Sequence, residues 1–250
     1  MKSRRLMMVA GLAASMLIVL AACAGPRGPQ GPAGPQGPAG GTGSSDGSSI
    51  TANSVSAVSI VPLVQPVVVR IDVIGAGFAA SGSGFIVDPH GYVLTNQHVV
   101  NQALQINVTV MDGTSYGAGV IAADPVRDLA VIRLSSSRTD FPTASLGSNV
   151  DAVVGMDVLA VGFPLGTQLP GQATFTKGIL SAKRTMQGAN WFQTDVTINP
   201  GNSGGIMVSF DGKVLGVTTA GIVPPAIDAE NIGLAIPIDE AKTFIQESIK

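Results

Sequence analysis

Gly201-Asn202-Ser203-Gly204-Gly205 sets a serine among glycines. Glycines on both sides permit a tight turn that leaves the hydroxyl exposed and aims successive backbone N–H groups into one space. Such a turn supplies a nucleophile and a cradle for an oxyanion together; a plain Ser/Gly loop is the competing reading. Thr95-Asn96-Gln97-His98-Val99-Val100 places a histidine just past a strand end, and Asp124-Pro125-Val126-Arg127-Asp128-Leu129-Ala130-Val131-Ile132 places Asp128 directly before an apolar strand. Taken singly, the first reads as a turn or core histidine and the second as a strand-edge cap or surface ion pair. Taken together, His98, Asp128 and Ser203 offer a general base, a carboxylate to orient it and a hydroxyl nucleophile, in one of the chain orders that a catalytic triad takes. The histidine is nearly forced, because the only other one, His90, sits in the turn Asp88-Pro89-His90-Gly91. Asp124 is the weaker rival to Asp128, since it precedes Pro125 rather than the strand.

Groups so far apart in sequence need a rigid frame. From Val67 onward, short runs rich in β-branched residues recur between Gly, Pro and Asp turn signals. The runs predict strands at 67–73, 84–87, 92–95, 106–111, 117–123, 129–134, 157–162, 174–181, 191–194, 205–209, 214–219 and 232–236. About a dozen short strands indicate an all-β barrel or sandwich. Aromatic residues make up only 4% of the chain, so its core must be built from Val, Ile, Leu and Ala. Only the C-terminus reads as a good helix, over 239–249. Asp239 is the expected cap, with Ala241, Phe244, Ile245 and Ile249 on one face.

Composition excludes several classes. With 45% hydrophobic and 12% charged residues the chain is not wholly disordered. A formal net charge of -2 argues against nucleic acid as the main partner. Two histidines and one cysteine cannot assemble a His/Cys metal cluster or an intramolecular disulfide. No metal and no cofactor are expected.

The first sixty residues read as addressing and spacing. Lys2, Arg4 and Arg5 form a basic start, an uncharged apolar run follows from Leu6 to Leu20, and Leu20-Ala21-Ala22-Cys23 ends it. This is the layout of a secretory signal over residues 1–22. Its ending resembles the bacterial lipobox, which implies cleavage before Cys23 and lipidation of that residue. The alternative is an ordinary signal with an incidental cysteine. Residues 25–40 repeat Gly-Pro-Xaa with strict period three, which resembles collagen. A single-chain stalk reaching roughly 50 Å, at ~3.1 Å per residue, is preferred to a triple helix. Residues 41–49 are a Gly/Ser linker. The segment 23–60 is therefore read as lipidated Cys23, stalk and linker, and the expected location is the bacterial cell envelope, extracytoplasmic and lipid-anchored, either periplasmic or surface-facing.

The three chemical segments, with Gly82-Ser83-Gly84-Phe85-Ile86, Gly162-Phe163-Pro164-Leu165-Gly166, Asn199-Pro200 and Gly233-Leu234-Ala235-Ile236-Pro237, resemble the HtrA/DegP group of trypsin-like serine proteases from about Val61 to the C-terminus. The resemblance implies two packed antiparallel β-barrels of chymotrypsin-like type in a domain over 61–250. The first barrel would span about 61–140 and the second about 150–237. His98 and Asp128 would come from the first and Ser203 from the second. It implies an oxyanion hole from the N–H groups of Gly201 and Ser203, and a specificity pocket that draws on Ile198 and on Thr218, Thr219, Ala220, Gly221 and Ile222. No acidic residue lies in 197–200 or 218–222, so an apolar P1 residue is expected; Gly221, where relatives carry an aliphatic residue, predicts a wider pocket. The implied activity is serine endopeptidase, on unfolded or damaged envelope proteins. Relatives carry PDZ domains after the protease, and this sequence stops at Lys250. Relatives are also typically trimers, so a homotrimer aided by the Gly-Pro-Xaa stem is a further expectation. Two readings compete: a catalytically silent protease-like module that binds peptides, and a collagen-like surface protein with a globular head.

Overall fold

The computed structural model describes residues 56–186, 188–220 and 231–249. They belong to one compact unit, residues 51–250. The signal, Cys23, the stalk, Gly221 and Ile222 lie outside the described residues.

Twelve strands are present among the described residues, and they close into two six-stranded antiparallel barrels. The first is β1 (Val68–Gly75), β2 (Phe78–Asp88), β3 (Tyr92–Thr95), β4 (Ala103–Thr109), β5 (Ser115–Asp124) and β6 (Leu129–Leu134), in the order β1-β2-β3-β6-β5-β4. The second is β7 (Asp157–Gly162), β8 (Thr174–Met186), β9 (Ala189–Thr194), β10 (Ile206–Ser209), β11 (Val214–Thr219) and β12 (Gly233–Pro237), in the order β10-β11-β12-β9-β8-β7. Closure removes the free sheet edges that would otherwise invite pairing with other chains.

The sequence forms these strands because alternate residues enter different cores. Val69, Ile71, Ile86, Val93 and Ile132 fill the first barrel, and Val158, Leu180, Met207 and Leu215 fill the second. Their immediate neighbours Val68, Phe85, Leu94, Val131, Leu159 and Ile206 face a third core shared by the two barrels. Strands buried on both faces read as continuous apolar runs, which is why Leu129-Ala130-Val131-Ile132 shows no polar alternation.

Among the described residues three α-helices flank the barrels. α1 (Ala57–Val64) crosses the boundary expected at residue 60 and buries Ile60 and Val64 in the shared core. α2 (Gln97–Val100) is a single turn after β3. α3 (Ile238–Ser248) packs Ala241 and Phe244 into the shared core, with Ile245 and Ile249 against it. Its start differs from the sequence expectation. Pro237 occupies the cap position, because Ile238 must already be buried where β12 ends. Asp239 instead fastens another loop, accepting hydrogen bonds from Asn149 N–H at 2.9 Å and the Ser148 hydroxyl at 3.2 Å.

Candidate active site

β3 ends at Thr95 and the chain turns at once into α2, which carries His98. The turn between β5 and β6 carries Asp128 at φ +54°. Left-handed backbone is uncommon for residues other than glycine, and Asp is among those that tolerate it best. β3 and β6 are paired neighbours, with Thr95 opposite Ala130, so the ends of these strands bring His98 and Asp128 together.

The His98 imidazole Nδ1 lies 2.9 Å from each Asp128 carboxylate oxygen. The His98 backbone N–H donates to Oδ1 at 3.1 Å, and the Thr219 hydroxyl donates to Oδ2 at 3.3 Å. An ionised carboxylate only accepts, so Nδ1 carries the proton and Nε2 is the basic nitrogen.

Ser203 lies in the loop between β9 and β10, and it is buried together with Asn202. Two glycines shape this loop. Gly201 has φ +97°, and a Cβ there would stand 2.4 Å from the Phe163 carbonyl oxygen. Gly204 has φ +83°, and its Cβ would stand 2.2 Å from the Ser83 carbonyl oxygen. The Pro200 carbonyl accepts the Leu165 N–H at 2.8 Å. A trans peptide sets C=O and N–H on opposite sides, so the Gly201 N–H points away from Leu165. Neither the Gly201 nor the Ser203 N–H donates to another described residue. Both N–H groups are therefore available as donors beside the Ser203 hydroxyl.

His98, Gly201 and Ser203 line one cleft of about 270 Å³, with Ala220, Ala80 and Phe78. The Ser203 Oγ accepts the Ala220 N–H at 3.1 Å. No direct His98–Ser203 hydrogen bond is formed in this structure. Catalytic hydrogen bonds are often long before substrate arrives and tighten in its complex. A carboxylate-held imidazole, a hydroxyl and two undonated N–H groups around one cleft can perform base-assisted nucleophilic attack on a carbonyl.

The other candidates are placed as follows. The Thr218 hydroxyl donates to the Asn202 carbonyl at 2.7 Å, and Thr219 meets Asp128, so both side chains support the site from behind. Ile198 packs against the second barrel's core. Ala220 lines the cleft. His90 pairs with Asp88 in its exposed turn at 2.8 Å, and the Asp124 carboxylate accepts the N–H groups of Val126 and Arg127 within its own turn.

Sequence reasoning passed over Ser83. Its buried Oγ donates to the Gly201 carbonyl at 2.7 Å and accepts the Phe163 N–H at 2.8 Å. Its own N–H donates to the Ser203 carbonyl at 2.8 Å. One residue of the first barrel thus fixes two loops of the second. The available signal was a polar residue in the apolar run Gly82-Ser83-Gly84-Phe85-Ile86.

Comparison with known proteins agrees with this architecture. Residues 82–217 match the family model described as trypsin-like peptidase domain. A probable periplasmic serine endoprotease DegP-like from Chlamydia pneumoniae is 43% identical over 177 residues, covering 69% of this chain and 35% of that protein. A putative serine protease HhoA from Synechocystis sp. is 41% identical over 174 residues, covering 66% of this chain and 42% of that one. The chain thus spans well under half the length of these relatives. The HtrA-type protease AlgW, solved with a tripeptide, superposes with a TM-score of 0.70 at 35% identity, covering 78% of this chain and 64% of that one. The family match takes in more than half the sequence, including His98, Asp128 and Ser203, and it falls on two closed barrels meeting at one cleft: the chain belongs to the trypsin-like peptidase domain family.

Proposed function

We propose that the protein is a serine endopeptidase with His98, Asp128 and Ser203 as its triad. The observation that carries this reading is the cleft in which the Asp128-held imidazole, the Ser203 hydroxyl and two undonated N–H groups come together. His98 takes the Ser203 proton as the hydroxyl attacks a peptide carbonyl. Asp128 holds the tautomer and stabilises the imidazolium. The N–H groups of Gly201 and Ser203 receive the developing oxyanion. His98 then returns the proton to the leaving amine, and water repeats the sequence on the acyl-enzyme.

The substrates are polypeptides, in particular unfolded or damaged proteins of the cell envelope, and the P1 residue is apolar. The periplasmic DegP-like relatives support an extracytoplasmic site of action. Among the described residues no helix is long and apolar enough to cross a membrane. Lipidation of Cys23 would supply the anchor, since two or more acyl chains hold a protein stably at a bilayer. The stalk of 25–40 would set the protease away from that surface, and a homotrimer is a further part of this reading. Radiolabelled palmitate, incorporated in the native chain and not in Cys23→Ala, tests the anchor. Sedimentation of the soluble form with and without residues 24–45 tests the trimer; monomer in both would reject it.

The absence of a direct His98–Ser203 hydrogen bond favours one other reading, a silent module that binds peptides without cutting them. Cleavage of unfolded casein separates the two. The enzyme reading expects turnover that falls about 10⁴-fold or more in Ser203→Ala; binding without turnover in the native chain supports the silent module.

A further inference from the structure

We propose that Asn96 is a positioning residue of this site, whose side-chain amide holds the Asp128 backbone in the left-handed conformation from which its carboxylate meets His98. The inference rests on the triad reading above and names a residue through which that triad is held.

Asn96 is the cap residue of α2, with extended backbone at φ -77° and ψ 149°. Asparagine is a favoured residue at such a position because its side-chain oxygen accepts an N–H from the first turn. Here it makes no such bond. The first-turn donors go to Asp128 instead: Gln97 N–H to the Asp128 carbonyl at 3.2 Å, and His98 N–H to its Oδ1 at 3.1 Å. Asn96 reciprocates, its Nδ2 donating to the same Asp128 carbonyl at 2.9 Å. Capping is thus exchanged across the site: Asp128 caps the histidine's helix, and the cap residue grips Asp128.

Three consecutive residues, Asn96, Gln97 and His98, thereby fix one aspartate at both its carbonyl and its carboxylate. The direction of the Asn96 amide is set by chemistry, because only its NH₂ end can face a carbonyl oxygen. Asn96 is fully buried, and its Oδ1 finds no donor among the described residues. The Nδ2 bond is the polar contact this side chain makes. Without it the Asp128 carbonyl keeps only the longer Gln97 bond, and φ +54° is less firmly imposed. A shift of the carboxylate changes the hydrogen bond that orients the base, and misplacement of about 1 Å can cost on the order of 100-fold in rate.

The test compares full-length native protein with Asn96→Ala, Asn96→Asp, Thr194→Val and Ser203→Ala. Asn96→Asp keeps the shape but sets a carboxylate oxygen against the Asp128 carbonyl. Thr194→Val is the stability control, removing a buried hydroxyl that serves the Ile179 carbonyl in the second barrel. Three quantities are read per folded molecule: kcat and KM on a peptide substrate, the fluorophosphonate labelling rate, and the low-field proton resonance of the His98–Asp128 bond. Asn96→Ala should lower kcat and labelling about 10- to 100-fold with KM within about 2-fold, and should move or broaden the resonance. Asn96→Asp should lose at least as much, which keeps the inference testable if the alanine variant folds poorly. Thr194→Val should leave kcat and the resonance unchanged. Native kcat and resonance in both Asn96 variants, with Ser203→Ala inactive, would overturn the role of Asn96 alone. Activity retained in Ser203→Ala would overturn the triad reading beneath it.

Discussion

The two halves of the site are built by different means. The half in the first barrel, His98 with Asp128, is held by side chains: a carboxylate that takes His98 twice and Thr219 once, and a carbonyl gripped by Asn96 and Gln97. The half in the second barrel, the loop that carries Gly201 and Ser203, offers main-chain groups: its Gly201 and Asn202 carbonyls accept the Ser83 and Thr218 hydroxyls, and its backbone passes so close to Phe163 and Ser83 that a Cβ does not fit. The first half should therefore tolerate changes that spare its polar groups. The second should tolerate no change in backbone shape.

The largest expected effect breaks the second half. Gly204→Ala sets a Cβ 2.2 Å from the Ser83 carbonyl oxygen at a left-handed φ. We expect a loss of about 3–4 kcal/mol, a Tm drop of roughly 10 °C in thermal melts, and no measurable turnover. Gly113→Ala sharpens the contrast: φ is +85° there too, but nothing lies within 4 Å. It should cost about 1 kcal/mol by melting and leave activity unchanged.

Next is the bridge between the halves. Ser83→Ala strands the Phe163 N–H and frees the Gly201 carbonyl. A loss of about 2 kcal/mol and a fall in kcat of about 10-fold or more are expected by melting and steady-state kinetics. Native kcat in this variant would show that the loop needs no help from the first barrel. A smaller effect is expected of Thr219→Val, which keeps the shape and removes the 3.3 Å bond to Asp128. A fall in kcat of about 3- to 10-fold with unchanged KM should result, since the bond is long and Asp128 keeps its other donors.

The smallest effect lies away from both halves. Burial pushes the Asp239 carboxyl up, but the Asn149 N–H, Lys242 and the Ser148 hydroxyl together hold it below its ordinary value. A carboxyl lowered on folding stabilises the protein above its unfolded pKa, and the contribution disappears as pH falls through the folded value. The side chain is 41% exposed, so solvent screening keeps the effect small. Asp239→Asn should lower Tm by about 1–2 °C near neutral pH, with the two melting curves converging in acid. A difference that persists unchanged in acid would count against the charge.

The same contrast explains what could be read in advance. β3, β6, β7 and β11 end where the sequence suggests, because each is a largely buried, mostly apolar run bounded by turn residues. β2 was expected only from residue 84. It begins at Phe78, because Ala79-Ala80-Ser81 carries little apolar signal and is drawn into pairing by β1 opposite. β8 likewise runs on through Lys183 and Arg184, whose polarity hid the strand. α2 is a single turn, too short to show periodicity. His98, Asp128 and Ser203 were legible as candidates because each sits in a locally informative stretch. Ser83 and Asn96 were not, since their partners lie 118 and 32 residues away and only the folded chain brings them together. Thr218 and Thr219 were read as pocket walls from the resemblance; the bonds their hydroxyls make to the Asn202 carbonyl and to Asp128 were not legible, because residue type alone does not tell what a side chain at a strand's end will meet.

The most direct measurement is stoichiometric labelling with a fluorophosphonate, followed by peptide mapping. If His98 and Asp128 activate Ser203, one equivalent of phosphonate is found on the peptide that carries Ser203, and the rate collapses in His98→Ala. Labelling at the native rate in His98→Ala, or phosphonate on any other residue, would contradict the account.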